Sequence, residues 1–434
     1  MRKFLRLGSV VFQDPVFMPE VYIRMRCCLG TCYTFGIENY NPHPIQGAGS
    51  RESFLMISTE ENRMPPRGAR VMIAMSGGVD SAAVAVLLAE AGYDCLGATL
   101  RLTGDKEEVS VFEPCCGLQA AEDARRICTT LGIPHRTVRV VEVFEKTIIR
   151  YFAGQYAEGR TPNPCIRCNR AIKFGMLFKE ATRLGYDYIA FGHYARLMER
   201  NGRMTLARAA YLPKDQSYVL APLTQSQLRR SCFPLAAMTK EDARAAARRI
   251  DVVSGNKAES QEICFVPLRN YASVVEKYAG KGTPGPIRDL EGRVLGQHEG
   301  IHRYTIGQRR GLGIGAEKPL YVVWLDAAHN TVWVGRDAQS LCDCFETGPL
   351  FFGGMAPQKE KFEAWVQLRY RHQPVAGVVE PRDHGARVVL SEAQRAVTPG
   401  QWAVFYDGSG HILASAKIQQ FERWCGGADC TFTQ

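Results

Sequence analysis

The sequence lacks the defining features of several protein classes. None of its apolar runs approaches the ~18 residues that a membrane-spanning helix requires. No internal repeat or low-complexity tract is visible, and no clear small-residue cleavage site follows the short apolar patch near the N-terminus. These absences exclude a helical membrane protein and argue against a secreted one. We therefore expect a cytoplasmic protein with no membrane partner.

The composition is that of a globular protein with a surplus of basic residues. Of the 434 residues, 46% are hydrophobic and 23% are charged, and a chain of this length should form two or three domains. The net charge of +10 favours a polyanionic partner, although many soluble enzymes are equally basic. Fifteen cysteines in so long a chain do not indicate a secreted disulfide scaffold. The spacing Cys165-x-x-Cys168 points to metal or redox chemistry in a reducing compartment instead.

Two common nucleotide-binding motifs are also missing from the glycine-containing stretch Val71–Ser81. No Gly-Lys-Ser/Thr follows, so it is not a Walker loop, and the Gly-x-Gly-x-x-Gly spacing of dinucleotide-binding proteins is absent. The pattern predicts a buried strand at Val71–Ala74, a tight turn at Met75–Ser81 with its paired glycines Gly77 and Gly78, and a helix at Ala82–Ala91. Backbone N–H groups of such a turn bind phosphate, and Ser76 and Ser81 can add hydroxyl donors. The alternative is an ordinary strand–helix turn.

The order of predicted elements indicates the fold class. Strands and helices alternate from Val71 to about Phe191, which predicts an α/β protein with a doubly wound, Rossmann-like parallel sheet. After about Pro267, short β-type runs separated by turn residues indicate small sheets or a barrel. We expect a catalytic domain at 67–268, a small central β domain at 269–345 and a barrel-like C-terminal domain at 346–425.

Two further segments lie outside these predicted domains or carry an unusual charge. Residues 1–66 form an N-terminal extension that is either an over-long gene start or a poorly ordered tail, and we leave it unassigned. Glu241–Ile250 is predicted to be a helix with Thr239 as its N-cap. Its arginines favour a solvated face over an RNA contact.

Two cysteine sites stand out from the rest. Cys165 and Cys168 lie in RTPNPCIRCN, where Pro162 and Pro164 are expected to hold an extended, exposed loop. Functional use is favoured there, with zinc, iron–sulfur, disulfide and nucleophile roles all open. Cys264, in SQEICF, would by itself be interpreted as a small buried hydrophobe.

Several motifs resemble those of one enzyme family. SGGVDS at 76–81 resembles the PP-loop of ATP pyrophosphatases, which cleave ATP between the α and β phosphates and adenylate a substrate oxygen. Further motifs follow in one order: RTPNPxxxCN, GHY, KDQSY, ICF, GQRRGLGIG, LRYRH and TPGQWAVFY. Together they resemble the bacterial tRNA-specific 2-thiouridylase family (MnmA/TRMU) from about Arg70 to about Gln420. The resemblance implies a sulfurtransferase that places sulfur at C2 of the wobble uridine of tRNA.

The resemblance implies ATP and Mg²⁺ as cofactors. A uracil C2 carbonyl has no leaving group, and adenylation of its oxygen creates one. The ATP contacts are expected at Ala74, Met75, Ser76, Gly77, Gly78, Val79, Asp80, Ser81, Leu100 and Gly192. Asp80 is expected to help hold Mg²⁺ at the pyrophosphate.

The resemblance also implies roles for the cysteines and for the RNA contacts. Cys264 matches the family's persulfide cysteine and Cys168 its partner nucleophile, so the reaction would end with a Cys168–Cys264 disulfide. Asn163, Pro164 and Cys165 are expected beside the target base. The remaining tRNA contacts are expected at His193, Lys214, Asp215, Gln216, Arg369, Tyr370 and Gln401.

One departure from the family pattern leaves the mechanism open. Many members carry Asp where this chain has Cys165, so here Cys165, Cys168 and Cys264 supply three thiols. Three thiolates would leave one iron of a [4Fe–4S] cluster open to an exogenous sulfide. A persulfide route needs only two thiols and a sulfur donor such as a cysteine desulfurase or a relay protein.

Two rival functions come from different classes. Another PP-loop ligase or amidotransferase would need a glutaminase or amino-acid site, and neither is apparent. A non-catalytic RNA- or metal-binding protein would carry a vestigial PP-loop, whereas Ser76, Asp80 and Ser81 are intact.

Overall fold

The computed structural model describes residues 22–24, 34–36, 62–102, 118–250, 263–266, 270–423 and 430–431. The chain divides into two units, Met1–Pro42 and His43–Gln434. In the first unit, β1 (Tyr22–Arg24) pairs antiparallel with β2 (Thr34–Gly36). All elements discussed below belong to the second unit. The adjacent pair Cys115–Cys116 lies outside the described residues.

A five-stranded parallel sheet in the order β5-β4-β3-β6-β9 organises the first part of the second unit. Its strands are β3 (Arg70–Ala74), β4 (Asp94–Arg101), β5 (His135–Arg139), β6 (Tyr188–Ala190) and β9 (Ser231–Cys232). Val71, Met72 and Ile73 of β3 are fully buried, because helices cover both faces of the sheet.

Nine α-helices and two π-helical turns accompany this sheet in the described ranges. They are α1 (Val79–Glu90), α2 (Leu118–Thr130), α3 (Val141–Phe144), a π-helical turn (Glu145–Ile149), α4 (Arg150–Ala157), α5 (Pro164–Cys168), a second π-helical turn (Asn169–Lys173), α6 (Phe174–Arg183), α7 (Ser217–Leu220), α8 (Gln225–Arg229) and α9 (Lys240–Arg248). Val71 and Ile73 pack with α1, α2 and α9 on one face. Met72 packs with residues of α4 and α6 on the other, so the predicted doubly wound arrangement is confirmed.

Two smaller features complete this part of the chain. The hairpin β7 (Arg196–Arg200) and β8 (Arg203–Ala207) follows β6. Thr239 caps α9 through a reciprocal pair of hydrogen bonds with Asp242, as the sequence predicts.

A four-stranded mixed sheet follows helix α10 (Tyr271–Ala279). Its strands are β10 (Gly285–Arg288), β11 (Val294–His298), β12 (Tyr321–Asp326) and β13 (Thr331–Gly335), in the order β11-β10-β13-β12. Only β10 and β13 pair in parallel within it. Val322 and Val332 of this sheet belong to the same hydrophobic core as Phe345 and Val366 of the barrel that follows.

The C-terminal sheet closes into a barrel. Its strands are β14 (Leu341–Thr347), β15 (Phe362–Gln367), β16 (Val375–Arg382), β17 (Gly385–Arg395), β18 (Trp402–Tyr406) and β19 (Ile412–Arg423), with β20 (Cys430–Thr431) added to β19. β14 pairs with both β17 and β19, which joins the two ends of the six-stranded sheet. The predicted order of an α/β domain, a small β domain and a barrel is confirmed. Across the described residues, no helix is both long enough and apolar enough to cross a membrane.

Candidate active site

The glycine turn after β3 is arranged to receive an anion. The Ser76 N–H donates to Ser81 Oγ at 3.2 Å, and this hydroxyl donates to the Gly78 carbonyl oxygen at 3.0 Å. α1 begins at Val79, with Gly78 as an N-cap that has no side chain. The first N–H groups of a helix lack intrahelical partners, so this end of α1 can bind phosphate.

Two glycines lie where an added side chain would crowd this turn. Gly77 has φ of +68°, and a Cβ there would lie 2.5 Å from the carbonyl oxygen of Ala120 in α2. Gly192 lies against the first turn of α1, where a Cβ would be 3.2 Å from Asp80 Cβ. The structure thus brings Gly192 beside the turn, while Leu100 is buried in β4.

Asp80 is held by two groups that the sequence interpretation missed as site residues. Its Oδ1 accepts hydrogen bonds from Tyr194 Oη at 2.8 Å and from Lys240 Nζ at 2.7 Å. The Lys240 side chain is 6% exposed, whereas that of Asp80 is 36% exposed. The GHY motif contains Tyr194, but no local pattern indicates that the first residue of α9 reaches Asp80.

His193 lies in an aromatic pocket. Its ring centroid is 6.0 Å from those of Phe174 and Phe191 and 6.3 Å from that of Phe233. Its Nδ1 is buried and has no hydrogen-bond partner within the described part of the chain. Burial, with a smaller contribution from Lys173, lowers the pKa of His193 well below its usual value, so the imidazole is neutral.

The first cysteine segment is a short helix, so the expectation of an extended loop is wrong. Asn163 Oδ1 accepts hydrogen bonds from the N–H groups of Cys165 and Ile166 at 3.1 and 3.2 Å, which makes Asn163 the N-cap of α5. Pro164 occupies the first helical position, where the fixed φ of proline favours a helix start. Cys165 is exposed and Cys168 partly buried.

The second cysteine segment lies against the same helical stretch, residues 141–157, that supports α5. Phe265 packs edge-on against Phe144 at 5.9 Å and against Phe152 at 5.1 Å. Cys168 and Cys264 are both partly buried and pack against this core. Within the described ranges, no three His, Cys, Asp or Glu side chains are grouped to hold a metal ion. The three thiols therefore do not form the ligand set of an iron–sulfur cluster in this conformation.

Two of the three predicted KDQ contacts, Asp215 and Gln216, form hydrogen bonds within the protein. The Asp215 side chain is 5% exposed, and its oxygens accept from Arg208 Nε, Ser217 Oγ and the N–H groups of Ala209 and Ser217. Gln216 Oε1 accepts from the Tyr194 N–H at 3.0 Å, which ties this segment to the GHY motif. Lys214 is partly exposed on the same turn.

The predicted contacts from the barrel differ in their surroundings. Burial raises the pKa of Tyr370, and the Cys165 thiol is a smaller cause of the same shift. Arg369 is half-buried and donates to the Arg395 carbonyl oxygen at 3.1 Å. Gln401 Nε2 donates to the Thr161 carbonyl oxygen at 2.9 Å. Thr161 lies only four residues before Cys165 in the sequence.

Comparison with known proteins matches most of the chain. Residues 69–268 match a family model described as the tRNA methyl transferase HUP domain. Residues 272–336 match the tRNA methyl transferase PRC-barrel domain, and residues 342–418 match the aminomethyltransferase beta-barrel domain. In chain order, these three matches correspond to the parallel sheet, the four-stranded mixed sheet and the barrel.

Curated relatives decide the family. A tRNA-specific 2-thiouridylase MnmA of Carboxydothermus hydrogenoformans is 45% identical over 81% of this chain and 98% of its own length. The chain belongs to the tRNA-specific 2-thiouridylase family. Another 2-thiouridylase, from Chloroflexus aurantiacus, is 44% identical over 82% of this chain and 99% of its own.

The solved structures that are similar to this chain are distant from it. NMN synthetase from Francisella tularensis is 17% identical, with a TM-score of 0.29, covering 50% of this chain and 78% of its own. NAD+ synthetase from Burkholderia pseudomallei is 14% identical, with a TM-score of 0.26, covering 49% and 74%. Both scores are too low to compare individual residues.

Proposed function

We propose that this chain uses ATP to place sulfur at C2 of the wobble uridine of tRNA. The observation that carries the proposal is one domain holding both an anion-binding glycine turn and two cysteine segments on a shared helical support. Adenylation makes the C2 oxygen a leaving group, and a sulfur nucleophile then replaces it. These are the two chemical requirements of 2-thiolation.

The glycine turn and its neighbours serve the adenylation step. The free N–H groups at the start of α1 bind the pyrophosphate portion of ATP. Asp80 would hold Mg²⁺, whose oxygen-ligand preference its partly exposed carboxylate fits, and the ion would neutralise developing phosphate charge. Lys240 and Tyr194 fix the orientation of that carboxylate through its Oδ1.

The cysteines serve sulfur transfer by the persulfide route. The terminal sulfur of a Cys264 persulfide attacks the adenylated C2, and AMP leaves with the C2 oxygen. The Cys168 thiolate then attacks Cys264 Sγ, so the bond between the two persulfide sulfurs breaks and its electron pair stays with the sulfur on C2. The products are 2-thiouridine and a Cys168–Cys264 disulfide, which a thiol reductant must reduce before the next turnover.

This route is preferred because the described residues show no three-ligand group for a cluster. Its sulfur has to come from a donor that can load Cys264, so we propose a cysteine desulfurase or a relay protein as partner. Because its substrate is tRNA, we propose the cytoplasm as its location. Cys165, which is exposed on the cysteine helix, would lie beside the target base.

A pyrophosphate-release assay with unmodified tRNA tests the adenylation step. We expect release to require tRNA and ATP together. Asp80→Ala should abolish release while tRNA binding, measured by filter retention, stays within about twofold, because Asp80 acts on the nucleotide. Release by Asp80→Ala at the wild-type rate would contradict the assignment of this turn.

A further inference from the structure

The C-terminal barrel touches the chain just ahead of the cysteine helix through one turn, Pro399–Gln401. The Thr161 N–H donates to the Pro399 carbonyl oxygen at 2.9 Å. The Thr161 carbonyl oxygen accepts from Gln401 Nε2, also at 2.9 Å. Both backbone polar groups of Thr161 are therefore fixed by this turn of the barrel.

The turn approaches Thr161 too closely for any residue other than glycine at its centre. Gly400 has φ of +97°, and a Cβ there would lie 2.9–3.0 Å from the backbone C, O and N of Thr161. The turn is itself anchored to β19, because the Gly400 N–H donates to the Ile418 carbonyl oxygen at 2.9 Å. The Ile418 N–H returns a hydrogen bond to the Gln401 carbonyl oxygen at 2.8 Å.

A second set of contacts links the barrel to the cysteine helix indirectly, through Tyr151 of α4, and to the π-helical turn that follows the helix. Lys417 of β19 donates from Nζ to Tyr151 Oη at 3.1 Å. The guanidinium of Arg167, between the two cysteines, stacks on the Tyr151 ring at 4.0 Å and donates from Nε to the Thr147 carbonyl oxygen. Just beyond Cys168, Arg170 stacks on Phe351 of the barrel domain at 4.5 Å.

We infer that the barrel is a positioning device for Cys168, in which Gly400 and Gln401 hold Thr161 and thereby set the place of the cysteine helix. The inference rests on the proposed function, and it gives Gln401 a role inside the protein. Thr398, Pro399 and Gly400 are buried, and the amide nitrogen of Gln401 is already bonded to Thr161. A displacement of the attacking sulfur by about 1 Å costs on the order of 100-fold in rate, so such support matters for sulfur transfer.

The reactivity of Cys168 measured without tRNA or ATP tests this inference independently of the proposed reaction. Alkylation by iodoacetamide, followed at Cys168 by peptide mass spectrometry, reports the exposure of a thiol that is partly buried in the wild type. Gln401→Ala and Gly400→Ala should raise the alkylation rate by about threefold or more, because local opening exposes the thiol. Gly410→Ala is the matched control, since Gly410 also has positive φ in the barrel but its Cβ would meet only the Arg208 side chain, at 3.5 Å.

Kinetics separate positioning from RNA binding. We expect Gln401→Ala to lower single-turnover sulfur transfer at saturating tRNA by about tenfold, with pyrophosphate release and tRNA affinity within about twofold of wild type. If Gly400→Ala fails to fold, as circular dichroism would show, Gln401→Ala decides alone. Unchanged Cys168 alkylation in a folded Gln401→Ala protein would overturn the inference, as would a loss confined to tRNA affinity.

Discussion

At the scale of single residues, the site depends on a few buried groups whose partners lie far away in sequence. Asp80 is held by Lys240, 160 residues later, and by Tyr194, 114 residues later. The motif around Asp80 was visible in the sequence because its spacing is local. Lys240 was not predicted as a site residue, because its contact with Asp80 depends on how α9 packs on α1.

The three thiols allow a direct choice between the two sulfur-transfer routes. Cys168→Ala and Cys264→Ala should each abolish 2-thiouridine formation, because the persulfide route uses both. Cys165→Asp should keep activity within about tenfold of wild type, since that route needs only two sulfurs. The measurement is nucleoside analysis by mass spectrometry, with iron and sulfide determined on the same samples. An iron-dependent wild type whose Cys165→Asp variant loses iron and activity together would refute the persulfide route.

The neutral His193 predicts a pH dependence of stability. Its pKa is lowered in the folded state by burial, so the unfolded chain binds more protons as the pH falls below about 6.5. The contribution of the neutral His193 to the free energy of unfolding is therefore fully present above that pH. It is lost as the pH falls toward the pKa of His193 in the folded state. The slope approaches about 1.4 kcal/mol per pH unit for one proton.

His193→Phe removes this proton site while keeping a ring among Phe174, Phe191 and Phe233. We expect its free energy of unfolding, relative to wild type, to rise as the pH falls from 7 to 5 in urea titrations. A difference that stays constant across this range would show that His193 does not titrate on unfolding as described.

At the scale of elements, local chemistry predicted the order of strand, turn and helix better than the residues at which the helices begin. The strand–turn–helix at the nucleotide site was predicted, but α1 begins at Val79 rather than Ala82, since Asp80 and Ser81 form its first turn. The stretch Pro164–Cys168 was predicted to be extended because of its prolines. In the structure, Asn163 caps it and one proline starts the helix, so capping outweighs the proline signal.

A matched pair of glycines tests the packing of the nucleotide turn. Gly77 and Gly92 both have positive φ, +68° and +78°, but only a Cβ at Gly77 would meet another backbone within 4 Å. Gly92→Ala should therefore cost about 1 kcal/mol of unfolding free energy from backbone strain alone. Gly77→Ala should cost about 2 kcal/mol or more, and should weaken ATP binding, because α2 or the turn must move.

Urea denaturation of both variants and ATP titration by calorimetry provide the comparison. Equal losses of stability in the two variants, with ATP affinity unchanged in Gly77→Ala, would contradict the account of this turn.

At the scale of the whole molecule, the sequence predicted the order of architectures but not how they meet. Alternating strands and helices, then short β runs, were enough for the fold class, because hydrophobic periodicity is local. The domain boundaries stay a prediction. The closure of the barrel through β14 and β19, and the contact of Pro399–Gln401 with Thr161, join residues far apart in the chain, and no local pattern encodes them.

The surplus of Lys and Arg over Asp and Glu is also a property of the whole molecule, and it bears on tRNA binding. With a net charge of +10, tRNA binding should depend on several phosphate contacts and weaken at least about tenfold between 50 and 200 mM salt. Lys214→Ala should reduce the slope of log Kd against log salt by about one if Lys214 contacts a phosphate. Fluorescence anisotropy with labelled tRNA measures both. An affinity that does not change with salt would argue strongly against tRNA as the partner.

The most direct test of the central claim is nucleoside analysis of unmodified tRNA after incubation with the protein, ATP, Mg²⁺, a cysteine-desulfurase sulfur supply and a thiol reductant. The account predicts 2-thiouridine at the wobble position, with one AMP and one pyrophosphate formed per sulfur inserted, and no product when ATP is omitted. Unmodified uridine at that position, with wild-type protein shown to bind both tRNA and ATP, would contradict it.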